Sequence, residues 1–274
     1  MKVLVTGGAG FIGSHLLKRL NPDYFNVLVL DDLSTGKLSN VPLHANFLRG
    51  NITDYNVCLK ATENIETVIH LAALISVTES MIYPEKYEYV NSRGTENMLY
   101  ASKFNKVKRF IFISSAACYF PKSIYALTKL KGEELCQKSG LNAICMRVFN
   151  VYGPGQKKEY AGVISKFIEC RKNHTPPVIY GDGSKTRDFI YVDDVVGAIT
   201  KSLYGFDSGG FYDVGTGIGT SINELAKMIC GDVQPIYDDD RPEEVAHSKA
   251  TFIKSDFKAK TLLKDGMDIL LDNE

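Results

Sequence analysis

The sequence predicts an α/β fold: a doubly wound parallel sheet followed by a smaller C-terminal lobe. Three observations predict it. Short apolar runs alternate with helix-sized stretches through the first 150 residues. The first of these runs leads straight into a glycine-rich turn. After Gly153, Pro154 and Gly155 the alternation breaks down.

Strands are expected at 2–6, 26–31, 45–49, 67–71, 109–114 and 143–148. Each is brief, rich in β-branched residues and nearly uninterrupted, as a strand covered on both faces should be. Helices are expected at 11–20, 55–61, 85–104 and 123–138. Strands separated by helices pair in parallel. Residues 1–150 form the expected first domain, with later segments at about 183–215 returning to it. Residues 151–274 form mainly the second lobe, punctuated by Pro176, Pro177, Gly181, Gly183, Gly209 and Gly210.

Composition narrows the function. Lys plus Arg number 32 and Asp plus Glu number 32, so the net charge is zero and a basic nucleic-acid footprint is excluded. No stretch approaches the 18 or so apolar residues of a membrane span. The start resembles a signal peptide after Lys2, but Gly7, Gly8, Gly10, Thr6 and Ser14 break its apolar stretch, and Lys18 and Arg19 stand where small residues should. Six cysteines, at 58, 118, 136, 145, 170 and 230, form no C-x-x-C and no zinc-like spacing with His. They read as reduced thiols of a cytoplasmic protein with no metal site.

Gly7, Gly8, Gly10 and Gly13 follow the first strand and open the first helix. In that context they read as a pyrophosphate loop of Rossmann type. Gly7 and Gly8 make the turn, Gly10 lets backbone approach the phosphates, and Gly13 lets helix pack on strand. Free amides and the positive dipole end then face the anion. Eighteen residues beyond Gly13, Asp31 ends the second strand, where a carboxylate accepts both hydroxyls of an adenosine ribose. It would repel a 2′-phosphate, and no Arg follows among residues 32–36. NAD is therefore expected over NADP. The alternative for Asp31 is a loop-capping acid.

Tyr125 and Lys129 stand four apart on one expected helix face. A lysine ammonium beside a phenol favours the phenolate. Lowering a tyrosine from about 10 to about 7 takes roughly 4 kcal/mol, which Lys129 and a bound nicotinamide cation would share.

Around this pair stand Ser114–Ser115, the run from His70 through Leu71 and Ala72 to Ala73, Asn91 with Gly94 and Asn97, Arg147 with Asn150, Arg187 through Asp194, and Asp213 through Gly217. In this order, over about residues 1–250, the chain resembles the extended short-chain dehydrogenase/reductases, and within them the NAD-dependent nucleotide-sugar epimerase/dehydratase family. The resemblance implies roles. Gly7, Gly10, Phe11, Ile12 and Gly13 would surround the pyrophosphate, and Asp31 the ribose. Asn51 and Ile52 fall where the family has Asp-Ile against the adenine. Leu71, Ala72 and Ala73 would line the cofactor path, and Lys129 would hold the nicotinamide ribose. Tyr125 would be the base, with Ser115 sharing the bond to the reacting hydroxyl and Asn91 bracing the network. Asn150, Arg187 and Arg241 would contact the nucleotide diphosphate. Alternatives stand beside these roles: Asn91 as a helix pin, Arg187 as a partner of Asp188 or Asp193, Arg241 as a balance to the acidic run before it. His70 reads as a satisfied core histidine.

The same resemblance sorts reactions. The 4,6-dehydratases carry Asp-Glu after the residue matching Ser115; here Ala116 and Ala117 stand there and cannot exchange protons. Sugar-acid decarboxylation, which wants a cation matched to a substrate carboxylate, stays open; the minimal chemistry that the resemblance implies is C4 epimerisation through a transient 4-keto sugar. The rivals are a nucleotide-sugar 4-keto reductase on the same fold and, as a non-enzyme, an NAD-binding regulatory module. Ser248 matches the position that gates the sugar's C2 substituent. A small residue there is similar to UDP-N-acetylglucosamine 4-epimerases, whereas a bulky Tyr marks strict glucose/galactose enzymes. The family commonly pairs two long helices into a homodimer, here 85–104 and 123–138. Two departures stand out: a short stretch between Tyr119 and Tyr125, and a compressed tail after Ser248.

Overall fold

A computed structural model describes residues 1–157, 162–205, 210–240, 245–252 and 257–272. In chain order the elements are β1 (Lys2–Thr6), α1 (Phe11–Arg19), β2 (Asn26–Asp31), β3 (Asn46–Arg49), α2 (Tyr55–Ala61), β4 (Thr67–His70), α3 (Val77–Ile82), α4 (Pro84–Tyr87), α5 (Gly94–Phe104), β5 (Arg109–Ser115), α6 (Ile124–Lys138) and β6 (Ala143–Val148). There follow β7 (Asn150–Tyr152), α7 (Gly162–Asn173), β8 (Val178–Tyr180), β9 (Thr186–Arg187), β10 (Phe189–Tyr191), α8 (Val192–Gly205), β11 (Phe211–Val214), β12 (Thr220–Ser221), α9 (Ile222–Cys230), β13 (Ile236–Asp238), β14 (His247–Ser248) and α10 (Leu263–Asp272).

Two compact units divide the chain: Met1–Val148 with Val196–Tyr212, and Phe149–Val195 with Asp213–Glu274. The first is built on a seven-stranded sheet in the order β11-β6-β5-β4-β1-β2-β3. Every pairing from β3 across to β6 is parallel. The strand order reverses beside β1, so the carboxyl ends of β1 and β4 flank a topological switch point, where α/β sheets bind ligands. Thr6 lies in register with His70 there. Leu4, Val68, Phe110 and Met98 are fully buried in the core between this sheet and α5, which explains the uninterrupted apolar runs.

The second unit packs α7, α9 and α10 around Tyr152, Phe167, Ile179, Leu225 and Met267. Its small sheets pair β10 with β7, β13 with β8, and β9 with β12 and β14. Three buried acids tie its tail down. Asp188 accepts from the amides of Thr216, Gly217 and Ala250, Asp194 from those of Lys260 and Thr261, and Asp213 from those of Thr251 and Phe252.

One expected helix is not continuous. The stretch 85–104 consists of α4, a π-helical turn over Glu88–Arg93, and α5. The wider turn holds one extra residue per loop of backbone, and Asn91 sits inside it, 3% exposed.

Gly13 is a packing requirement: a Cβ there would lie 2.4 Å from the Gly7 carbonyl oxygen and 2.6 Å from the Gly8 Cα. Gly197, inside α8, has nothing within 4 Å of the same position. Gly13→Ala should therefore destabilise by about 2 kcal/mol through overpacking. Gly197→Ala should stabilise by about 0.5–1 kcal/mol through helix propensity. Thermal unfolding followed by circular dichroism reads both; equal melting temperatures for the two variants would contradict the packing.

Candidate active site

β1 runs into Gly7, whose φ is +71° and whose Cβ, were there one, would lie 2.7 Å from the Ala72 amide nitrogen. Only glycine fits so tight a turn. Helix α1 then starts at Gly10, and no side chain caps its first turn. Its leading amides and dipole are thus presented as an anion site beside Phe11 and Ile12. Asp31 ends β2, 7% exposed, with its two carboxylate oxygens accepting from the Ala9 amide at 3.0 Å and the Leu33 amide at 2.9 Å. Burial raises its pKa and those amides oppose the rise. Each oxygen keeps a second lone pair for a ligand hydroxyl. The glycine cradle, the uncapped helix and the acid at the strand tip fit a dinucleotide whose ribose carries no 2′-phosphate.

Asn51 explains its own departure from the family. Its amide donates to Asp32 at 2.8 Å and its oxygen accepts from the Thr53 amide at 2.9 Å and hydroxyl at 2.8 Å. An aspartate there would face the Asp32 carboxylate as a like charge. Ile52 is 4% exposed, and its carbonyl oxygen accepts from Asn97. Leu71, Ala72 and Ala73 leave the end of β4; the Ala72 amide donates to the Thr6 hydroxyl at 3.2 Å.

Ser115 closes β5 and caps the next turn, accepting from the Ala117 amide at 3.2 Å. Ser123 caps α6 through the Ala126 amide, which starts the helix one residue before Tyr125. Gly132 brings α6 onto β5: a Cβ there would lie 2.4 Å from the Phe112 ring. Lys129 is 5% exposed; its ammonium donates to the Ile113 carbonyl oxygen at 2.8 Å and stands 5.1 Å from the Phe112 ring centroid. Tyr125 is half-buried and hydrogen-bonded to Ser115, and Lys129 follows it one helical turn later on α6.

In the protein without its cofactor, Tyr125 is not an acidic phenol. Burial pushes the phenol up to about 12; the Ser115 bond opposes this and the nearby Cys118 thiol adds to it. The Lys129 ammonium is turned onto the Ile113 carbonyl, and its own burial lowers it to about 8, with Cys118, Glu133 and Cys136 acting against that. The protein's groups alone do not acidify the phenol.

Glu133 escaped the sequence reading, although it stands four residues past Lys129 and eight past Tyr125 on the same helix face. It is 3% exposed and accepts from the Ser114 hydroxyl at 2.6 Å and from Arg147 through Nε at 2.9 Å and Nη2 at 2.6 Å. The Arg147 guanidinium also lies 4.5 Å from the Tyr119 ring and 4.1 Å from the Phe211 ring. Both aromatics thus have more than a packing role. Asn91 is fully engaged: its oxygen accepts from the Leu74 amide at 2.8 Å, and its nitrogen donates to the Leu74 carbonyl at 3.0 Å and the Thr128 hydroxyl at 3.1 Å.

Within the second unit, Asn150 donates to the Asp188 carbonyl at 3.0 Å. Arg187 occupies β9, and Ser248 in β14 lies in register with it. The Arg187 guanidinium donates to the Thr186 carbonyl at 2.8 Å. The Asp188 carboxylate, a suggested partner for Arg187, instead takes the amide set described above. Arg241 lies outside the described residues. Among the described residues no cluster of His, Cys, Asp and Glu could hold a metal, and no helix is long and apolar enough to cross a membrane.

This fold and this site define an enzyme of the extended short-chain dehydrogenase/reductase class. The chain belongs to the NAD dependent epimerase/dehydratase family, whose model matches residues 3–215, and NAD is its cofactor. It is 36% identical over 259 residues to the UDP-glucose 4-epimerase of Mycolicibacterium smegmatis, covering 85% of this chain and 83% of that protein. The crystal structure of a UDP-glucose 4-epimerase with UDP-glucose from Thermotoga maritima matches with a TM-score of 0.91 at 33% identity, over 99% of this chain and 98% of that one. A UDP-N-acetylglucosamine 4-epimerase from Methanobrevibacter ruminantium M1, in complex with UDP-N-acetylmuramic acid, matches with a TM-score of 0.91 at 33% identity, over 99% and 97%.

Lys129 carries a charge where the fold disfavours one. Below pH 8 that cost is present in full. Between about 8 and 10.5 the folded state sheds the proton before the unfolded state does, so wild-type stability rises through that window. Lys129→Met should therefore be more stable at pH 7 by about 2 kcal/mol, with the gap closing towards pH 10.5, while activity is lost. Denaturant unfolding at the two pH values checks this; a variant less stable at pH 7, by the same margin at both, would contradict it.

Proposed function

We propose that the chain catalyses C4 epimerisation of a UDP-hexose through a transient 4-keto sugar. The observation that supports this most is the Ser115–Tyr125–Lys129 group at the end of β5, followed by Ala116 and Ala117. Two methyl side chains offer no acid and no base for eliminating water. NAD, when bound, supplies a hydride acceptor and donor at the sugar C4, and its nicotinamide cation adds the positive charge that Tyr125 needs. Gly7, Gly10, Phe11, Ile12 and Asp31 are proposed to hold it, with Ile52, Asn51, Leu71, Ala72 and Ala73 along its length and Lys129 on the nicotinamide ribose. Tyr125 Oη takes the O4 proton while Ser115 Oγ donates to the same sugar oxygen. The proton stays on the phenol during the 4-keto stage and returns to O4 when the opposite face is reduced.

Asn150, Arg187 and Arg241 are proposed to bind the diphosphate, the arginines by their forked donors. Ser248 is proposed to leave room for a C2 N-acetyl group, which favours UDP-N-acetylglucosamine and its C4 epimer over the plain hexoses. The exposed Tyr100 and Phe104 on α5 and Leu127 on α6 suit a helix-paired homodimer. The six free thiols suit the cytoplasm.

The test is incubation with UDP-N-acetylglucosamine or UDP-glucose and no added reductant, with products read by NMR. The C4 epimer should form catalytically, faster from the N-acetylated substrate. Tyr125→Phe should lower kcat by about a thousandfold. A need for stoichiometric reductant, with no C4 epimer, would contradict the reading.

A further inference from the structure

We infer that His70 is a positioning residue: a neutral imidazole, held in one tautomer, that ties the loop after β4 to the helix carrying Tyr125 and Lys129 through a one-way chain of hydrogen bonds. Its catalytic consequence rests on the reading above that this helix performs the chemistry.

The direction of the chain follows from counting hydrogens. Thr95 has one hydroxyl hydrogen, and it goes to the Asn91 carbonyl oxygen at 2.6 Å. The Thr95 hydroxyl oxygen itself lies 3.0 Å from His70 Nε2, so it can only accept there, and Nε2 carries the ring's proton. Nδ1 is then bare, and Thr6, 2.7 Å away, must donate to it. With its hydrogen spent, the Thr6 oxygen is an acceptor, and the Ala72 amide donates to it. On the other side Thr128 spends its hydrogen on the Tyr125 carbonyl at 2.8 Å, so it accepts from the Asn91 amide, as found. Asn91 also grips both the amide and the carbonyl of Leu74. Every donor from Ala72 to Tyr125 has one acceptor, with none spare.

The setting enforces this. Thr6, His70, Thr95, Asn91 and Thr128 are between 0% and 3% exposed, so no bulk water can substitute for a missing partner. Around the imidazole stand Thr6 from β1, Thr95 from α5, and Phe110 and Phe112 from β5, with ring centroids 5.8 and 5.9 Å away. Lys129 of α6 is the charged group that acts on it. Burial, with that ammonium, holds the ring's pKa down to about 3. The loop is therefore pinned at Ala72 by one end of the chain and at Leu74 by the other. In the other tautomer the Nδ1 hydrogen would meet the Thr6 hydroxyl hydrogen, and a bare Nε2 would face the Thr95 oxygen.

The readouts are the imidazole 15N signals of the NAD-loaded, histidine-labelled enzyme and the kinetics of two variants. The spectra should show His70 as the Nε2–H tautomer, unchanged between pH 5.5 and 8.5. His70→Phe keeps the ring but strands Thr6 and Thr95, and kcat should fall about tenfold with KM for the UDP-sugar little changed. His70→Gln, whose carboxamide has both an acceptor and a donor, should recover most of that loss. An Nδ1–H tautomer, titration within that range, or equal kcat for two folded variants would overturn the inference. The spectra decide the chain of bonds independently of the reaction, so a wild type that made no epimer would overturn the functional reading without touching them.

Discussion

A buried lysine governs this site. Lys129 sits where α6 is pressed onto β5, and a charge there needs company. It finds the Ile113 carbonyl, the face of Phe112 and the field of Glu133. Glu133 is itself buried, and so calls for Arg147 and Ser114, with Arg147 in turn laid against Tyr119 and Phe211. Removing Glu133 or Arg147 alone would leave its partner as an unpaired charge in the interior, which costs several kcal/mol. The charges therefore act as a set, and the set fixes how the Tyr125 helix lies on the sheet.

The same packing that positions Tyr125 makes it a poor base on its own. Desolvation outweighs the Ser115 bond and lifts the phenol to about 12. Lys129 is committed to a main-chain carbonyl. Under the proposed function, bound NAD would supply the cationic nicotinamide that favours the Tyr125 phenolate before the sugar binds, and the phenolate would then take the O4 proton as hydride leaves C4. At the switch point the glycine turn and the Ala72 amide approach so closely that only backbone can line the path.

Much of this was legible in the sequence. Of the strands in the large sheet, β4 and β6 are fully buried and β1, β2 and β5 nearly so, so their apolar runs were nearly uninterrupted and their places easy to read. Glycines announced the turn because no other residue tolerates its geometry, and Tyr125 with Lys129 shows a helical spacing. The π-helical turn was not legible, since one additional residue in a helix disturbs periodicity too little to see. Nor was the His70 chain, whose threonines lie 64 and 25 residues away along the sequence. The burial of Asp188, Asp194 and Asp213 was not legible, because their partners are main-chain amides, which carry no sequence signal. The hydrogen bond from Lys129 to the Ile113 carbonyl was hidden for a related reason: spacing places a lysine near Tyr125 but does not say where its ammonium points.

The central claim is that one hydride leaves C4 and comes back to it without escaping. A UDP-hexose deuterated at C4, turned over in ordinary water with unlabelled NADH present, tests this directly. The account predicts that both epimers keep the full label at C4. Deuterium lost to solvent, or recovered in free NADH, would contradict it.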